Sequence, residues 1–292
     1  MMRKKPMLAY PVSSKPIDYN NTVFMQPKLD GVRCLIQYEK VKPTGIPPDI
    51  YSHQVKAYSR TGKQWLNIDH ILESLTPFFQ ANPNVILDGE LYNHALKDDF
   101  EKIISCVRKT KPTLIDKAES RKLVQFHCYD IVDETKPFVD RIYWLNKKFA
   151  RFPYGVRLVP TESVLDKRDA ELYHDSCLSQ GYEGSILRLN DVYQCKRSHS
   201  LRKFKDFHDA EATIIDWVEG KGKRKGTIGK FMAVDADGNE FGMPVMDNFK
   251  KLQTMFKEMQ GWVGKEATFT YFERTKAGSY RHPLFKAIRD YE

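Results

Sequence analysis

Residues 23–39, VFMQPKLDGVRCLIQYE, place three charged side chains between two apolar, strand-like runs. Lys28, Asp30 and Arg33 surround Gly31 where the first run ends and the second begins. A charged turn between two strands is the simplest interpretation, because turns are rich in glycine and polar residues. The other interpretation is a nucleophilic Lys28 whose amine is activated by neighbouring charges. The other charged clusters of the chain distinguish the two.

The composition is that of a soluble globular protein, with 292 residues, 41% hydrophobic and 29% charged. This length predicts two domains. No run approaches the roughly 18 apolar residues of a membrane span, and residues 1–5 lead into no signal-peptide core. We therefore expect a cytoplasmic protein with no targeting signal and no membrane partner. The five cysteines include no C-x-x-C pair, which predicts reduced thiols and no structural zinc.

The net charge of +9 favours a polyanionic partner. Residues 209–292 contain nearly equal numbers of acidic and basic side chains, so the excess of positive charge lies before them. We therefore expect a polyanion to bind mainly across the first 208 residues.

The hydrophobic pattern changes near Phe207. Before it, strand-like runs are mixed with helical patterns, without regular βαβ spacing. The strand-like runs are residues 22–26, 32–38, 55–59, 84–92, 123–132, 184–189 and 200–205. The helical patterns are residues 68–80, 98–108, 139–150 and 169–179. This mixture predicts an α+β domain with largely antiparallel sheets. After it, alternation in twos, glycine turns and one helical run at 247–259 predict a small five-stranded barrel. The predicted domains are residues 1–206 and 207–292, with Asn67 as a helix N-cap and residues 39–54 and 109–122 as loops.

Five further clusters place charged or aromatic side chains at strand ends. They contain, in order, Arg60 in SRTG, Glu90 in DGE, Phe126 in FHCYD, Glu183 in YEG, and the pair Lys203 and Lys205 in KFK. A carboxylate within a strand costs free energy unless it is paired, so Glu90 should have a partner. Four of these clusters also have an ordinary interpretation, namely a solvated turn for Arg60, a structural ion pair for Glu90, a core position for Phe126 and a solvated edge for the two lysines.

The motifs of this chain resemble, in their order, those of the covalent nucleotidyltransferases, which include ATP-dependent DNA ligases, RNA ligases and mRNA capping enzymes. They are K-x-D-G-x-R, S-R-T-G, D-G-E, F-x-x-x-D, E-G and K-x-K. The resemblance extends from Lys28 to Lys205, and the following barrel resembles the OB-fold of these proteins. RHPLFKAIRDYE resembles the last motif of DNA ligases, with Arg281, Pro283, Phe285 and Arg289 in the matching positions. The family usually continues with x-Asp-Lys, and the basic residue expected there is missing from this sequence.

The resemblance implies that ATP, with Mg²⁺ or Mn²⁺, forms a lysyl-AMP at Lys28. Asp30 would orient Lys28 and the sugar at a nick, and Glu90 would hold the ribose. Glu90 and Glu183 would bind the metal, and Phe126 would stack on adenine. The basic residues would bind phosphates, with Arg33 and Arg60 on the nick, Lys203 and Lys205 on the nucleotide, and Arg281 and Arg289 on the pyrophosphate.

A lysine nucleophile needs this basic environment. An unperturbed lysine has a pKa near 10.4, so about one molecule in a thousand is neutral at pH 7, a penalty of about 4 kcal/mol. Nearby cations disfavour the protonated amine. The positive field of Arg33, Lys203 and Lys205 would therefore help to release the amine of Lys28.

Within the superfamily, the pattern favours a minimal, monomeric, ATP-dependent DNA ligase that seals nicks in double-stranded DNA. An NAD-dependent ligase would need a module before the lysine and a four-cysteine zinc element after the barrel, whereas 27 residues precede Lys28 and no cysteine follows Cys195. The lysine-rich segments 107–122 and 220–226 are predicted to contact DNA phosphates, the second through Lys221, Lys223, Arg224 and Lys225. An RNA ligase and a non-catalytic OB-fold nucleic-acid-binding protein are the alternatives.

Overall fold

A computed structural model describes residues 4–41, 51–149, 151, 153–205, 207–275 and 278–289. The chain divides into two compact units, Met1–Phe204 and Lys205–Glu292. All five cysteines are free thiols. Within the described residues, no helix combines the length and the apolar character needed to cross a bilayer.

Two five-stranded sheets form the framework of the first unit. The strands are β1 Leu8–Pro11, β2 Val23–Pro27, β3 Val32–Val41, β4 Ser52–Tyr58, β5 Ile86–Tyr92, β6 Gln125–Ile131, β7 Val156–Leu158, β8 Glu162–Val164, β9 Ser185–Leu189 and β10 Arg197–Phe204. The strand orders are β1-β10-β9-β2-β8 in one sheet and β4-β3-β5-β6-β7 in the other, and neighbouring strands run antiparallel except for the parallel pairs β1–β10 and β6–β7. The helices are α1 Asp69–Ala81, α2 Phe100–Val107, α3 Leu114–Leu123, α4 Phe138–Lys148 and α5 Lys167–Ser179.

Strand β2 is buried on both faces, which explains its uninterrupted apolar sequence. Val23 and Met25 pack with Leu187 and Ala170, beside α5. Phe24 points to the other layer and meets the ring of Phe138 edge to face at 5.2 Å. The strand that leads to Lys28 is therefore held rigidly between two parts of the core.

A buried ionic network links α4 to β2. The Asp130 carboxylate accepts hydrogen bonds from Nε of Arg141 (2.7 Å) and from Nη1 of Arg188 (2.9 Å). Nε of Arg188 also donates to Oε1 of Gln26 at 2.6 Å. Gln26 lies two residues before Lys28, so this network, which we call the Asp130 network, reaches the strand end that carries the lysine.

The first unit differs from the sequence predictions in two places. Asn67 is not the N-cap of α1, which is Ile68, because the Asn67 amide instead donates to the carbonyls of Cys106 and Asp116. Residues 109–122 are not entirely loop, since they contain most of α3, which begins with a capping box between Thr113 and Asp116. The predicted loop 39–54 includes the end of β3 and the start of β4, and its residues 42–50 lie outside the described residues.

The second unit contains a five-stranded antiparallel sheet and a short helix. Its elements are β11 His208–Glu219, β12 Ile228–Val234, β13 Glu240–Pro244, α6 Phe249–Lys257, β14 Glu266–Tyr271, β15 Glu273–Arg274, β16 Tyr280–Arg281 and β17 Leu284–Ile288. The order of strands in the five-stranded sheet is β13-β12-β11-β14-β17. Alternate residues of these strands, such as Ile214, Phe231 and Phe269, are fully buried. The predicted α+β class with antiparallel sheets is confirmed, while closure of this sheet into a barrel stays a prediction.

Candidate active site

Lys28 lies at the end of β2, where the pairing with β9 continues for one more residue. Its backbone N–H donates to the carbonyl of Gly184 at 2.9 Å, and its own carbonyl accepts from the N–H of Glu183 at 3.2 Å. Nζ of Lys28 donates to Oε2 of Glu183 in an ion pair. Backbone pairing therefore fixes the amine and this carboxylate opposite each other.

Only glycine suits the position that follows Glu183. Gly184 has φ +136°, a conformation that side chains disfavour, and a Cβ there would lie 2.3 Å from the carbonyl oxygen of Phe204. This turn presses the end of β10 against the start of β9. The close approach explains why a Glu-Gly pair precedes this strand.

Glu90 lies on β5, next to the loop that follows Lys28. The loop after Lys28 packs tightly on β5 at Gly31, where a Cβ would lie 2.5 Å from the carbonyl oxygen of Leu91 and 2.7 Å from Cγ of Glu90. Burial raises the pKa of Glu90, although the charges of Arg33 and Lys28 oppose the rise. These charge effects show that Lys28 is electrostatically coupled to Glu90 as well as paired with Glu183.

Arg33 is held by a buried carboxylate. Its Nε and Nη2 donate to the two carboxylate oxygens of Asp88 at 2.6 Å each, and the hydroxyl of Tyr193 donates to the same carboxylate at 2.7 Å. Asp88 is fully buried, whereas the Arg33 side chain is 20% exposed. The bidentate pair fixes the direction of the guanidinium and partly cancels its positive field at Lys28.

Phe126 was predicted to contact a ligand through its ring. Its side chain is fully buried in the main core, where one ring edge would lie 2.6 Å from a Cβ added to Gly89. The structure thus places Phe126 in the core, as its alternative interpretation has it, and its contact with an adenine stays a prediction.

Sequence reasoning missed Tyr129, which stands beside Glu90. The β5–β6 register passes from Gly89–Cys128 to Asp88–Asp130, so Tyr129 is the extra residue of a β-bulge. Bulges redirect side chains, and the Tyr129 hydroxyl donates to Oε2 of Glu90 at 3.2 Å. The sequence feature that could have indicated this aromatic residue is its position directly before Asp130, the last residue of the F-x-x-x-D motif.

Arg60 and Arg33 line the same cleft of about 630 Å³. Glu90 and Gly31 also belong to its wall, and Lys63 and Arg108 add two further cations. Arg60 lies in the turn after β4, as the sequence predicted. Four cations against one carboxylate make this cleft suitable for phosphate groups.

Asp30 and Lys203 lie close to these groups. Burial is the main cause that raises the pKa of Tyr92, and the charges of Tyr182 and Asp30 add to the rise. Burial lowers the pKa of Lys203, and the nearby charge of Lys28 lowers it further. The charge of Lys28 therefore acts on both Glu90 and Lys203, and Lys28 is paired with Glu183.

The second unit contains the remaining basic residues that the sequence predicted. Strand β10 ends at Phe204, so the alternation of side chains between the two sheet faces, which would align Lys205 with Lys203, stops one residue short of Lys205. Nζ of Lys205 lies 4.1 Å from the ring centroid of Phe272. Arg281 lies on β16, with its guanidinium carbon 5.9 Å from that centroid, and Arg289 pairs with Glu211. Lys221, Lys223, Arg224 and Lys225 occupy the short turn between β11 and β12, with all three lysines exposed.

The carboxylates can be compared with the needs of a metal ion. In the described residues, no group of three His, Cys, Asp or Glu side chains is arranged to hold a metal. Mg²⁺ usually binds through one or two carboxylates together with substrate phosphates and water. Glu183, which pairs with Lys28, and Glu90, which lines the cleft with Arg33 and Arg60, are carboxylates of the kind that this mode uses.

The arrangement can support attack by an amine on a phosphorus atom. It provides a lysine fixed by backbone pairing, two carboxylates beside it, and cations that can neutralise phosphate charge in the transition state. A structural ion pair alone would explain Lys28 and Glu183. It would not explain why Arg33, Arg60, Lys63 and Arg108 line one cleft with Glu90.

Comparisons with known proteins agree on one family. The model of the ATP-dependent DNA ligase domain matches residues 6–205. The DNA ligase of African swine fever virus, isolate Pig/Kenya/KEN-50/1950, is 29% identical over 180 residues, which cover 59% of this chain and 41% of that protein. The chain thus spans about two fifths of the length of this viral relative.

Two further similarities extend over nearly the whole chain. The DNA ligase of Haemophilus influenzae is 21% identical over 281 residues, which cover 96% of this chain and 90% of that protein. A solved structure of a Lig E DNA ligase superposes with a TM-score of 0.75 at 24% identity, over 99% of this chain and 100% of that one. At this identity the superposition supports the fold, with the same mixture of sheets and helices.

Proposed function

Because this chain belongs to the ATP-dependent DNA ligase family, we propose that it joins the 3′-hydroxyl and 5′-phosphate ends at a nick in duplex DNA, as a cytoplasmic monomer. The first unit would be the nucleotidyltransferase domain and the second the OB-fold domain. The observation that carries the proposal is the pairing of Lys28 with Glu183 at the end of β2, together with the cleft in which Glu90 lies with Arg33 and Arg60.

The first step forms a bond between Nζ of Lys28 and the α-phosphorus of ATP, and the bond to pyrophosphate breaks. The amine loses its proton to solvent. The hydrogen bond to Glu183 orients the amine before the attack. Lys203 and Lys205 neutralise the nucleotide phosphates, and Arg281 and Arg289 assist the departing pyrophosphate.

The next two steps transfer AMP from Lys28 to the 5′-phosphate and then expel it when the 3′-hydroxyl attacks. Arg33 and Arg60, which share one cleft, bind the phosphates of the nick. The fixed orientation of Arg33 on Asp88 suits such a contact, because a preorganised donor needs no rearrangement. Asp30 orients the lysine and the nick sugar. Tyr129 helps to orient the Glu90 carboxylate for the ribose through its hydroxyl.

Mg²⁺ or Mn²⁺, held by Glu183 and Glu90, would neutralise the phosphate charge that develops during transfer. Glu90 also accepts a hydrogen bond from the ribose. Its raised pKa means that its carboxylate is costly to ionise in the protein alone. A positively charged partner at that carboxylate would offset this cost.

Covalent labelling tests the proposal. The protein is incubated with α-labelled ATP and Mg²⁺ and separated by denaturing electrophoresis. Wild type and Lys250→Ala, a variant of a lysine on α6, should carry label, whereas Lys28→Ala should carry none. Label on Lys28→Ala at the wild-type level would reject the assignment of the nucleophile. Lack of label on wild type would favour a non-catalytic nucleic-acid-binding protein.

Substrate preference separates a DNA ligase from an RNA ligase. Labelled enzyme is given nicked duplex DNA or single-stranded RNA with matched ends, and the joined product is measured. We expect joining of nicked DNA. Preferential joining of the RNA would identify an RNA ligase instead.

A further inference from the structure

Two adjacent large apolar residues are exposed at the start of α3. Leu114 is 86% exposed and Ile115 is 81% exposed. Among the described residues, Leu165, at 80%, is the other large apolar side chain with similar exposure. Single exposed apolar residues are common on protein surfaces, but Leu114 and Ile115 are neighbours on one helical turn. We call this pair the α3 tip.

The α3 tip is rigidly braced. Thr113 and Asp116 form a reciprocal capping box, with the Thr113 N–H donating to Oδ2 of Asp116 at 2.8 Å and the Asp116 N–H donating to Oγ1 of Thr113 at 3.2 Å. The buried Asn67 donates to the carbonyl of Asp116 and to that of Cys106, at the end of α2. The apolar pair is therefore held outward by a fixed turn, which lowers the entropic cost of binding a partner.

Exposed cations lie directly before the α3 tip. Arg108, Lys109 and Lys111 are exposed, and Nζ of Lys109 lies 3.2 Å from Oδ1 of Asp116 in the first turn of α3. Arg108 also lines the cleft that contains Arg33 and Arg60. Residues 108–114 therefore connect the cleft that contains Arg33 and Arg60 to the apolar pair.

We propose that the α3 tip inserts between base pairs of the DNA next to the nick, while Arg108 and Lys111 contact the flanking phosphates and Lys109 neutralises Asp116. This inference rests on the proposed function. Duplex DNA combines a negative backbone with apolar base faces, which complements an apolar pair flanked by cations. Apolar side chains that enter the minor groove partly unstack base steps. Opening a step costs less where one strand is interrupted, so the wedge favours a nick over an intact duplex.

The charge pattern favours DNA over a protein partner. The side chains that border the pair on its N-terminal side are cationic, as phosphate contact requires. A protein partner would need an apolar groove rimmed by acidic residues. A second copy of this chain is a different occupant, which the experiment below distinguishes.

The test compares two double variants of the full chain. Leu114→Ser with Ile115→Ser removes the wedge, and Leu165→Ser with Leu172→Ser removes an exposed apolar pair beside and on α5 as a matched control. Thermal unfolding verifies that both variants remain folded. Binding to nicked and to intact duplex is measured by fluorescence anisotropy over a range of salt concentrations. The nicked duplex carries 2-aminopurine beside the nick, whose fluorescence rises when the base unstacks.

We expect the wedge variant to bind the nicked duplex about tenfold more weakly or worse, since two apolar side chains that become buried in the complex would be removed. The slope of log affinity against log salt should stay the same, because no charge is removed. The rise in 2-aminopurine fluorescence should disappear, and the preference for nicked over intact duplex should shrink. The control variant should match wild type in all three measurements.

Three results would overturn the proposal. The first is wild-type affinity in the wedge variant. The second is weaker binding with an unchanged 2-aminopurine signal. The third is a wild-type dimer in sedimentation that the wedge substitutions abolish, which would assign the pair to an interface between copies of the chain. Failure of the proposed function is distinguishable, because it would appear as wild-type protein without a Lys28 label.

Discussion

At the scale of single residues, Glu183 is the clearest case in which catalysis and folding can be separated. Glu183→Gln preserves the shape of the side chain but removes the charge opposite Lys28. We expect sealing to fall by about two orders of magnitude or more, a typical effect of removing electrostatic stabilisation. The melting temperature should change by only a few degrees, since the Lys28 side chain is 20% exposed and can reach water.

Nick sealing and thermal unfolding measure the two effects of Glu183→Gln. Glu171→Gln, on the exposed face of α5, is the control and should match wild type in both. A large drop in melting temperature for Glu183→Gln would assign the ion pair to folding instead.

Glu90 makes a prediction about pH. Because burial raises its pKa in the folded protein, folding favours its protonated form. The resulting stability is fully present below the unfolded pKa of about 4.3 and is lost as the pH rises through the raised folded value. Each pKa unit of that rise corresponds to about 1.4 kcal/mol. Glu90→Gln should therefore gain stability relative to wild type as the pH increases from about 5 to about 8.

Urea unfolding of both proteins at several pH values measures this difference. Glu101→Gln, exposed on α2, should show no such trend. A constant difference between wild type and Glu90→Gln across this pH range would contradict the raised pKa.

The sequence pointed to much of the candidate site but missed Tyr129. Lys28, Glu90, Glu183 and Arg33 were identified from charges at strand ends, and the structure brings them together. Phe126 was selected because it fills the first position of the F-x-x-x-D motif. Tyr129 was missed because a β-bulge brings it to Glu90, and the bulge depends on the pairing of β6 with β5, which one strand's sequence does not reveal.

At the scale of secondary-structure elements, α3 shows what the sequence pattern concealed. The segment was predicted as loop because it is polar and contains Pro112. The helix begins directly after that proline, with a Thr113–Asp116 capping box. Thr113→Ala should lower the free energy of unfolding by about 1 kcal/mol, because a backbone donor loses its cap.

Urea unfolding checks this value for Thr113→Ala. Thr110→Ala, in the exposed segment before the helix, should be nearly neutral. Equal effects of the two substitutions would show that the capping box does not stabilise the helix.

The long strands were predicted well, while short ones were missed. Runs that became β2, β5 and β9 have apolar residues that pack in the core, so their sequences carry a strong signal. Strands β7 and β8 are three residues each, and β1 is an edge strand of four. Such elements depend on the partner strand more than on their own composition, so no local pattern identifies them.

At the scale of the whole molecule, the predicted separation of tasks between the two units can be tested. Neutralising Lys221, Lys223, Arg224 and Lys225 together should leave the labelling of Lys28 intact, because Lys28 lies in the other unit. Binding to nicked DNA should weaken. The slope of log affinity against log salt should become shallower by about one unit for each DNA phosphate that the variant no longer neutralises.

Labelling and salt-dependent anisotropy measure these effects. Neutralising Lys250 and Lys251 on α6 is the control for a general decrease in positive charge. Unchanged affinity and salt slope in the quadruple variant would exclude this turn from DNA binding, and residues 107–122 would be neutralised next.

The Asp130 network has a consequence for how this sequence can change over generations. Removing one member of a buried ion pair costs about 3 to 5 kcal/mol, whereas replacing the whole group with apolar residues is often neutral. If Asp130, Arg141 and Arg188 were replaced by apolar residues one at a time, the partly substituted proteins would therefore be less stable than both the original protein and the fully substituted one. Lineages should keep the three residues or exchange them as a set, and a descendant that replaced only one would survive through a compensating change nearby.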